Sequence, residues 1–140
     1  MQLTQVIEFM RQSKLAVQAS VTADGAPQAA VIGFVVSDAG ELFFDTSKAS
    51  RKYLNLKRDP RIALVVGWDE RTVQYEGTAD EPTGAELARL KASYFAAFPD
   101  GPSRESWPDI AYVRVRPRWL RFSDFTGPAP KLSELHFPAP

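Results

Sequence analysis

Short apolar runs separated by turn residues make up most of the chain. Leu3, Val6, Ile7 and Met10 recur at helical spacing and predict an amphipathic helix over residues 3–13. Alternating or β-branched runs predict strands over residues 15–22, 28–36, 42–46, 62–66, 72–80, 110–116 and 119–125. Because residues 28–36 are apolar on both faces, we expect this strand to be central and covered.

Two further helices interrupt the strands. Residues 47–59 favour a helix that Pro60 ends, and Thr83-Gly84-Ala85-Glu86 matches a capping box that opens a helix over residues 84–98. Consecutive hairpins with a few short helices predict a mainly β fold, an antiparallel barrel or sandwich of six or seven strands. The Pro-rich residues 127–140 are expected to form an extended tail on a single domain of residues 1–126.

The composition removes several classes of catalytic site. The chain has 140 residues, no cysteine and one histidine, His136, which lies close to the C-terminus. Thiol nucleophiles and cysteine-ligated metals are therefore excluded, and neither a serine–histidine triad nor a metal site is expected. No apolar run is long enough to span a membrane, and the N-terminus lacks the pattern of a signal peptide. We therefore expect a cytoplasmic protein.

Charge is balanced overall but clustered locally. The 17 basic and 17 acidic residues give a net charge of zero, which argues against nucleic-acid binding. Between Lys48 and Arg61, however, six basic residues accompany one acid, Asp59. Such a cluster in a neutral chain favours a small anionic ligand over a long polyanion. A solvated face is the alternative interpretation.

The segment 44–52 combines a predicted strand end, a predicted helix start and side chains that bind anions. Its candidates are Thr46, Ser47, Ser50, Arg51 and Lys52. The free amides and the dipole at a helix N-terminus attract anions, and the hydroxyls can donate to phosphate oxygens. The arginine can bind the same oxygens in a fork while the lysine adds a point charge. These residues suit a phosphate monoester, although an ordinary N-cap beside solvated basic residues is an alternative.

The order of elements resembles the pyridoxamine-phosphate-oxidase-like, FMN-binding split-barrel family, from the first helix to about Phe125. The most specific match is Phe44-Asp45-Thr46, followed by Ser50-Arg51-Lys52 and then by Asp59-Pro60-Arg61 before a strand. The resemblance implies an antiparallel split β-barrel with FMN as cofactor. It also implies that Thr46, Ser50, Arg51 and Lys52 hold the FMN phosphate, with Ser47 and Lys48 as weaker candidates.

The same resemblance implies where the flavin ring lies. The ring would contact backbone groups of the second strand at Ala30, Val31, Ile32 and Gly33, and Gln74 would reach it from the strand after the acidic turn. A glycine within a strand fits the close approach of a ligand or another backbone, and a simple bulge would explain it as well. Asp45 is the nearest acid, for which proton transfer and turn capping are both open. Family members are homodimers with a flavin at each interface, so we expect this chain to pair with itself.

The chain departs from the family where the substrate is handled. Arg116–Phe122 lacks the Arg-x-His pair that true pyridoxamine-phosphate oxidases bear near the C-terminus, and Gln28 stands where the second strand usually opens with arginine. We therefore expect an FMN-dependent oxidoreductase with another substrate, or one reduced by a nicotinamide donor, and no catalytic residue is assigned. A flavin-storage module and a deazaflavin-binding relative are the alternatives, whereas the position of His136 disfavours heme.

Overall fold

Three helices and an eight-stranded sheet make up the part of the chain that the computed structural model describes, residues 1–139. The helices are α1 (Leu3–Met10), α2 (Arg51–Arg58) and α3 (Gly84–Ala97), and Gly101–Arg104 forms a 3₁₀ turn. The strands are β1 (Leu15–Val21), β2 (Pro27–Gly33), β3 (Val35–Val36), β4 (Leu42–Ser47), β5 (Arg61–Val66), β6 (Arg71–Asp80), β7 (Ile110–Asp124) and β8 (Lys131–His136). No helix within residues 1–139 is both long enough and apolar enough to cross a membrane.

The sheet closes on itself through one stretch of chain. Its strand order is β2-β1-β5-β6-β7-β4-β3, with β8 added to β7, and all pairs are antiparallel. The two ends of this order, β2 and β3, are consecutive in the chain and separated only by Phe34. The stretch 27–36 therefore pairs with β1 along one half and with β4 along the other, which curls the sheet. The prediction of a mainly β, antiparallel split barrel is confirmed.

Alternating positions of the central strands fill the barrel interior. Val73 and Tyr75 of β6 are fully buried, as their alternation predicts, while Gln74 between them is exposed. The Tyr75 hydroxyl donates to the carbonyl oxygens of Gly40 (2.7 Å) and Val115 (3.1 Å), so this buried polar group is satisfied.

The C-terminal third differs from the predicted elements. The two strands predicted on either side of Pro117 form one strand, β7, because a β-bulge at Arg118 takes up the kink opposite Glu76 and Gly77. Within residues 127–140, predicted as an extended tail, Lys131–His136 pairs with β7 as β8. The last residue of that predicted tail, Pro140, lies outside the described residues.

The expectation that residues 28–36 form a covered central strand is wrong for β2. This strand lies at the end of the sheet and pairs only with β1, and Val31 is 59% exposed. In strand β1 the usual burial of apolar and polar residues is reversed: Val17 on the outer face is half-exposed, while Gln18 and Ser20 are buried. Both strands thus keep an apolar face open to solvent.

The capping box predicted at the start of α3 does not form. Thr83 is the N-cap residue, but its side chain makes no capping hydrogen bond. Glu86 instead pairs with Arg114 of β7, a buried guanidinium that also binds Asp80 and Glu41. The distant ion pair replaces the local cap because a buried cation requires anionic partners.

Candidate cofactor site

The junction between β4 and α2 is built around Ser50. The Ser50 hydroxyl caps α2 by accepting from the Tyr53 N–H (3.2 Å), and it also bonds to the nearly buried hydroxyl of Thr46 (2.9 Å). The backbone N–H groups of Arg51 and Lys52 meet no acceptor within residues 1–139. The first turn of α2 therefore presents two open donors at the positive end of the helix dipole.

Most of the basic side chains between Lys48 and Arg61 form no ion pair within residues 1–139. Lys57 pairs with Glu81, and Arg61 pairs with Asp59. The basic residues of this region that form no ion pair within residues 1–139 are Lys48, Arg51, Lys52 and Arg58. Two of these four carry the open amides, so positive charge and hydrogen-bond donors coincide at one point. That combination favours a bound anion.

A pocket of about 190 Å³ joins this helix start to the free edge of β2. Arg51 and Lys52 line one side, Ala30 of β2 lines another, and Gln18 and Ser20 of β1 form the floor. Because β2 pairs only with β1, backbone N–H and C=O groups along its other edge are available to a ligand. The pocket thus brings together residues from both halves of the sequence-predicted site.

Asp45 lies away from this pocket. Strand alternation turns it to the face opposite Thr46, where it accepts hydrogen bonds from the Tyr94 hydroxyl (3.0 Å) and Arg104 Nε (2.8 Å). Burial, reinforced by the charge of Asp45, raises the pKa of Tyr94 to about 12. The hydrogen bond to Asp45 likewise raises the pKa of Arg104. Asp45 therefore anchors α3 and the 3₁₀ turn to the sheet.

Comparison with known proteins assigns the fold and the motif to one family. The model of the pyridoxamine 5'-phosphate oxidase family matches residues 3–124. The chain belongs to this family. Among curated relatives, the pyridoxine/pyridoxamine 5'-phosphate oxidase of Kineococcus radiotolerans is 36% identical over 113 residues, which cover 74% of this chain and 48% of the relative. The chain thus spans about half the length of the curated relatives it matches.

Solved structures share the barrel of this pyridoxamine 5'-phosphate oxidase family member at low sequence identity. A heme binding protein from Mycobacterium smegmatis matches with a TM-score of 0.83 at 19% identity, covering 97% of this chain and 58% of that one. A pyridoxamine 5'-phosphate oxidase-related, FMN binding protein from Nostoc punctiforme matches with a TM-score of 0.66 at 13% identity, covering 98% and 95%. At such identities the likeness concerns the fold alone.

The four residues that the family resemblance assigns to the flavin ring, Ala30–Gly33, have different surroundings in this family member. Ala30 lines the pocket, Ile32 points into the core, and Val31 points outward. The ring of Phe98, the C-cap residue of α3, covers Gly33 so closely that an added Cβ would lie 2.9 Å from it. The missing side chain at Gly33 therefore makes room for the Phe98 ring. The sequence alone suggested a ligand, another backbone or a bulge as the reason for this glycine.

Two other predicted cofactor residues face away from the pocket. Gln74 lies on the outer face of β6, and strands β5 and β1 separate it from β2. Ser47 donates to the Asp109 carboxylate (2.6 Å) and accepts from the N–H of Ala49 (3.0 Å). Within residues 1–139, neither side chain lines the pocket.

The polar floor of the pocket was not anticipated from the sequence. Asn55 Nδ2 of α2 donates to the Ser20 hydroxyl (3.1 Å) and to Gln28 Oε1 (2.9 Å). Gln18 beside them is only 1% exposed, yet its carbonyl oxygen has no hydrogen-bond partner within residues 1–139. The local sequence carries no signal for this floor, because Gln18 and Ser20 alternate with the apolar Val17, Ala19 and Val21 as residues on the solvent face of a half-exposed strand do.

Proposed function

We propose that the chain binds FMN and acts as an FMN-dependent oxidoreductase on a small-molecule substrate. The observation that carries this proposal is the pocket in which Arg51 and Lys52, unpaired within residues 1–139, face the free edge of β2. Membership of the pyridoxamine 5'-phosphate oxidase family supports it, as does the fold shared with the FMN binding protein of Nostoc punctiforme.

The phosphate of FMN would occupy the first turn of α2. Arg51 and Lys52 supply side-chain charge and two open backbone donors, and the hydroxyls of Thr46 and Ser50 lie directly before them in the fold. Hydrogen bonds to a charged group contribute about 1.5–3 kcal/mol each, roughly twice the neutral value. The residues present therefore fit a phosphate monoester without any rearrangement of the fold.

The flavin ring would lie along the free edge of β2, where its pyrimidine N–H and carbonyl groups find complementary backbone groups. Bound FMN would supply hydride chemistry that the side chains lack, since the chain has no cysteine and one histidine. The contribution of the chain is to bind and orient the ring. A storage module would use the same contacts, and anaerobic bleaching of the flavin by a nicotinamide donor would separate the enzyme from the module.

We also propose that the outer face of β1, β2 and β5 binds a second copy of the chain. Val31, Val17 and Val65 form one cross-strand row on this face, and small alanines form the next row. A depression of about 510 Å³ flanked by Arg61 and Arg118 continues the same surface. The net charge of zero means that two copies carry no net repulsion.

Placing Asp at both Val31 and Val65 is expected to convert a dimer into a monomer. Two carboxylates in an apolar row would have to lose their hydration on association, which costs several kcal/mol. Sedimentation equilibrium measures the change in mass. Trp68→Asp is the matched control, because Trp68 is as exposed as Val31 but lies at the β5–β6 hairpin. A monomeric wild type, or the same loss in the control, would argue against this face.

Heme is a second candidate ligand because of where His136 lies. The only imidazole of the chain is held on β8 opposite Trp119, is 74% exposed, and has Nε2 3.4 Å from the Glu134 carboxylate. A carboxylate commonly orients a histidine whose other nitrogen binds a metal. The shared fold of the Mycobacterium smegmatis heme binding protein makes this candidate worth testing beside FMN.

Titration with FMN, riboflavin and hemin tests both candidates in one experiment. FMN is expected to bind about 100-fold or more tightly than riboflavin, because the two differ only in the phosphate and at least two charge-assisted contacts depend on it. Flavin fluorescence and hemin absorbance give the dissociation constants. Equal affinity for the two flavins would contradict the phosphate site. If the protein binds hemin but neither flavin, and if His136→Ala loses the hemin binding, heme replaces FMN as the proposed cofactor.

A further inference from the structure

The floor of the pocket contains an amide whose hydrogen-bonding capacity is not met by the protein. Gln18 is 1% exposed, and its Oε1 has no partner within residues 1–139. No neighbouring side chain fills this role, since Asn55 donates to Ser20 and Gln28, and no hydrogen bond joins the Ser20 hydroxyl to Gln18 within residues 1–139. Leaving a buried amide unpaired destabilises a fold by about 1–3 kcal/mol, so such a group usually has a partner in the working molecule.

Gln18 lines the pocket from the inner face of β1, so a second copy docked on the outer face does not reach it. Its Oε1 has almost no accessible surface in the ligand-free fold, so a partner in the pocket meets this oxygen after a rotation of the side-chain amide. The pocket is open to solvent and also touches Arg51 and Lys52. A ligand whose anionic group lies at the start of α2 would therefore extend over Gln18.

The size of the pocket limits which part of a ligand it holds. Its volume of about 190 Å³ is smaller than the ~300–1,000 Å³ of pockets that enclose a whole drug-sized ligand. It equals about six water-sized volumes, enough for a phosphate and a short hydroxylated chain but not also for a tricyclic ring.

The chemistry of an amide selects hydroxyl groups from among the groups of such a ligand. Phosphate oxygens only accept hydrogen bonds, so they cannot satisfy the carbonyl oxygen of Gln18. A hydroxyl both donates and accepts, and therefore pairs with either end of the amide. We infer that Gln18 is a specificity-determining residue that hydrogen-bonds a hydroxyl of a polyol phosphate, here the ribityl chain of FMN. This assignment rests on the FMN binding proposed above.

Replacement of Gln18 by Met tests the assignment through two measurements, the melting temperature of the ligand-free protein and its affinity for FMN. Met keeps the length of the side chain but removes the unpaired amide, so the ligand-free variant is expected to melt no lower than the wild type. Its affinity for FMN is expected to fall about 3- to 10-fold, which is the value of one net hydrogen bond. Gln18→Leu serves as a second apolar variant, and Gln12→Met, on an exposed turn, serves as the control.

An FMN analogue in which hydrogen replaces the ribityl hydroxyls locates the contact. The preference of the wild type for FMN over this analogue is expected to shrink about 3- to 10-fold in Gln18→Met. An unchanged FMN affinity, an unchanged preference, or a melting temperature that falls together with the affinity would each overturn the role of Gln18 while leaving FMN binding intact. A wild type that binds no FMN would overturn both.

Discussion

Replacing Arg51 and Lys52 together with Ala should abolish retention of FMN and leave the barrel folded. Two charge-assisted contacts to one phosphate contribute about 3–6 kcal/mol together, so the dissociation constant should rise about 10²- to 10⁴-fold. Riboflavin lacks the phosphate, so its affinity should hardly change and the difference between the two flavins should disappear. Fluorescence titration of both ligands on the variant and the wild type measures this ratio.

The fold should tolerate this double substitution because neither side chain supports another residue. Arg51 and Lys52 form no ion pair within residues 1–139, and the Ser50 cap and its bond to Thr46 remain in place. Arg51 is exposed and Lys52 is half-buried, and surface substitutions that remove no such support change the free energy of unfolding by about 0.5 kcal/mol or less. An unchanged far-UV circular dichroism spectrum and melting temperature would confirm that lost binding is not lost folding.

The matched control removes the same amount of charge from the same helix. Lys57 and Arg58 lie in the last turn of α2, away from the pocket, so the double variant Lys57→Ala, Arg58→Ala also lowers the net charge by two. This control loses the surface pair of Lys57 with Glu81, which contributes about 1 kcal/mol or less to stability, and the contact of Lys57 Nζ with the Tyr53 ring. If this control loses as much FMN affinity, the attraction is non-specific charge and the phosphate site is wrongly assigned.

The start of α2 could be anticipated from sequence because its contacts span few residues. The cap that links Ser50 to Tyr53 and the bond between Ser50 and Thr46 join residues three or four positions apart. Hydroxyls followed by helix formers and basic residues therefore predict this helix start from the local sequence. Even here β4 continues through Ser47, so the helix begins four residues later than the pattern predicts.

The rest of the site depends on partners that are distant in sequence. Asp45 adjoins Thr46 in the chain, but strand alternation and Arg104 determine its role. Gln18 has the spacing of an ordinary surface residue, and only the placement of α2 and β2 around it reveals a buried amide. The exposure of Val31 likewise follows from the position of β2 at the end of the sheet. None of these features is a property of the local pattern.

Replacing Arg114 with Met should destabilise the fold by about 2–4 kcal/mol. The Arg114 side chain is 6% exposed and binds Asp80 through a bidentate pair (2.8 and 2.9 Å), with Glu41 and Glu86 on its remaining nitrogen. Removing one partner of a buried pair costs about 3–5 kcal/mol, and we expect less here because Asp80 and Glu86 are partly exposed. Urea unfolding followed by tryptophan fluorescence measures the loss.

Arg116→Met isolates the contribution of burial. Arg116 contacts the same Asp80 at 3.4 Å but is half-exposed, so its loss should cost about 1 kcal/mol or less. Arg114→Lys should fall between the two Met variants, because lysine keeps the charge but cannot form the planar fork that grips Asp80. Equal effects of the two Met variants would mean that Arg114 acts as an ordinary surface cation. The ion pair between Glu86 and Arg114 would then not explain why the capping box of α3 does not form.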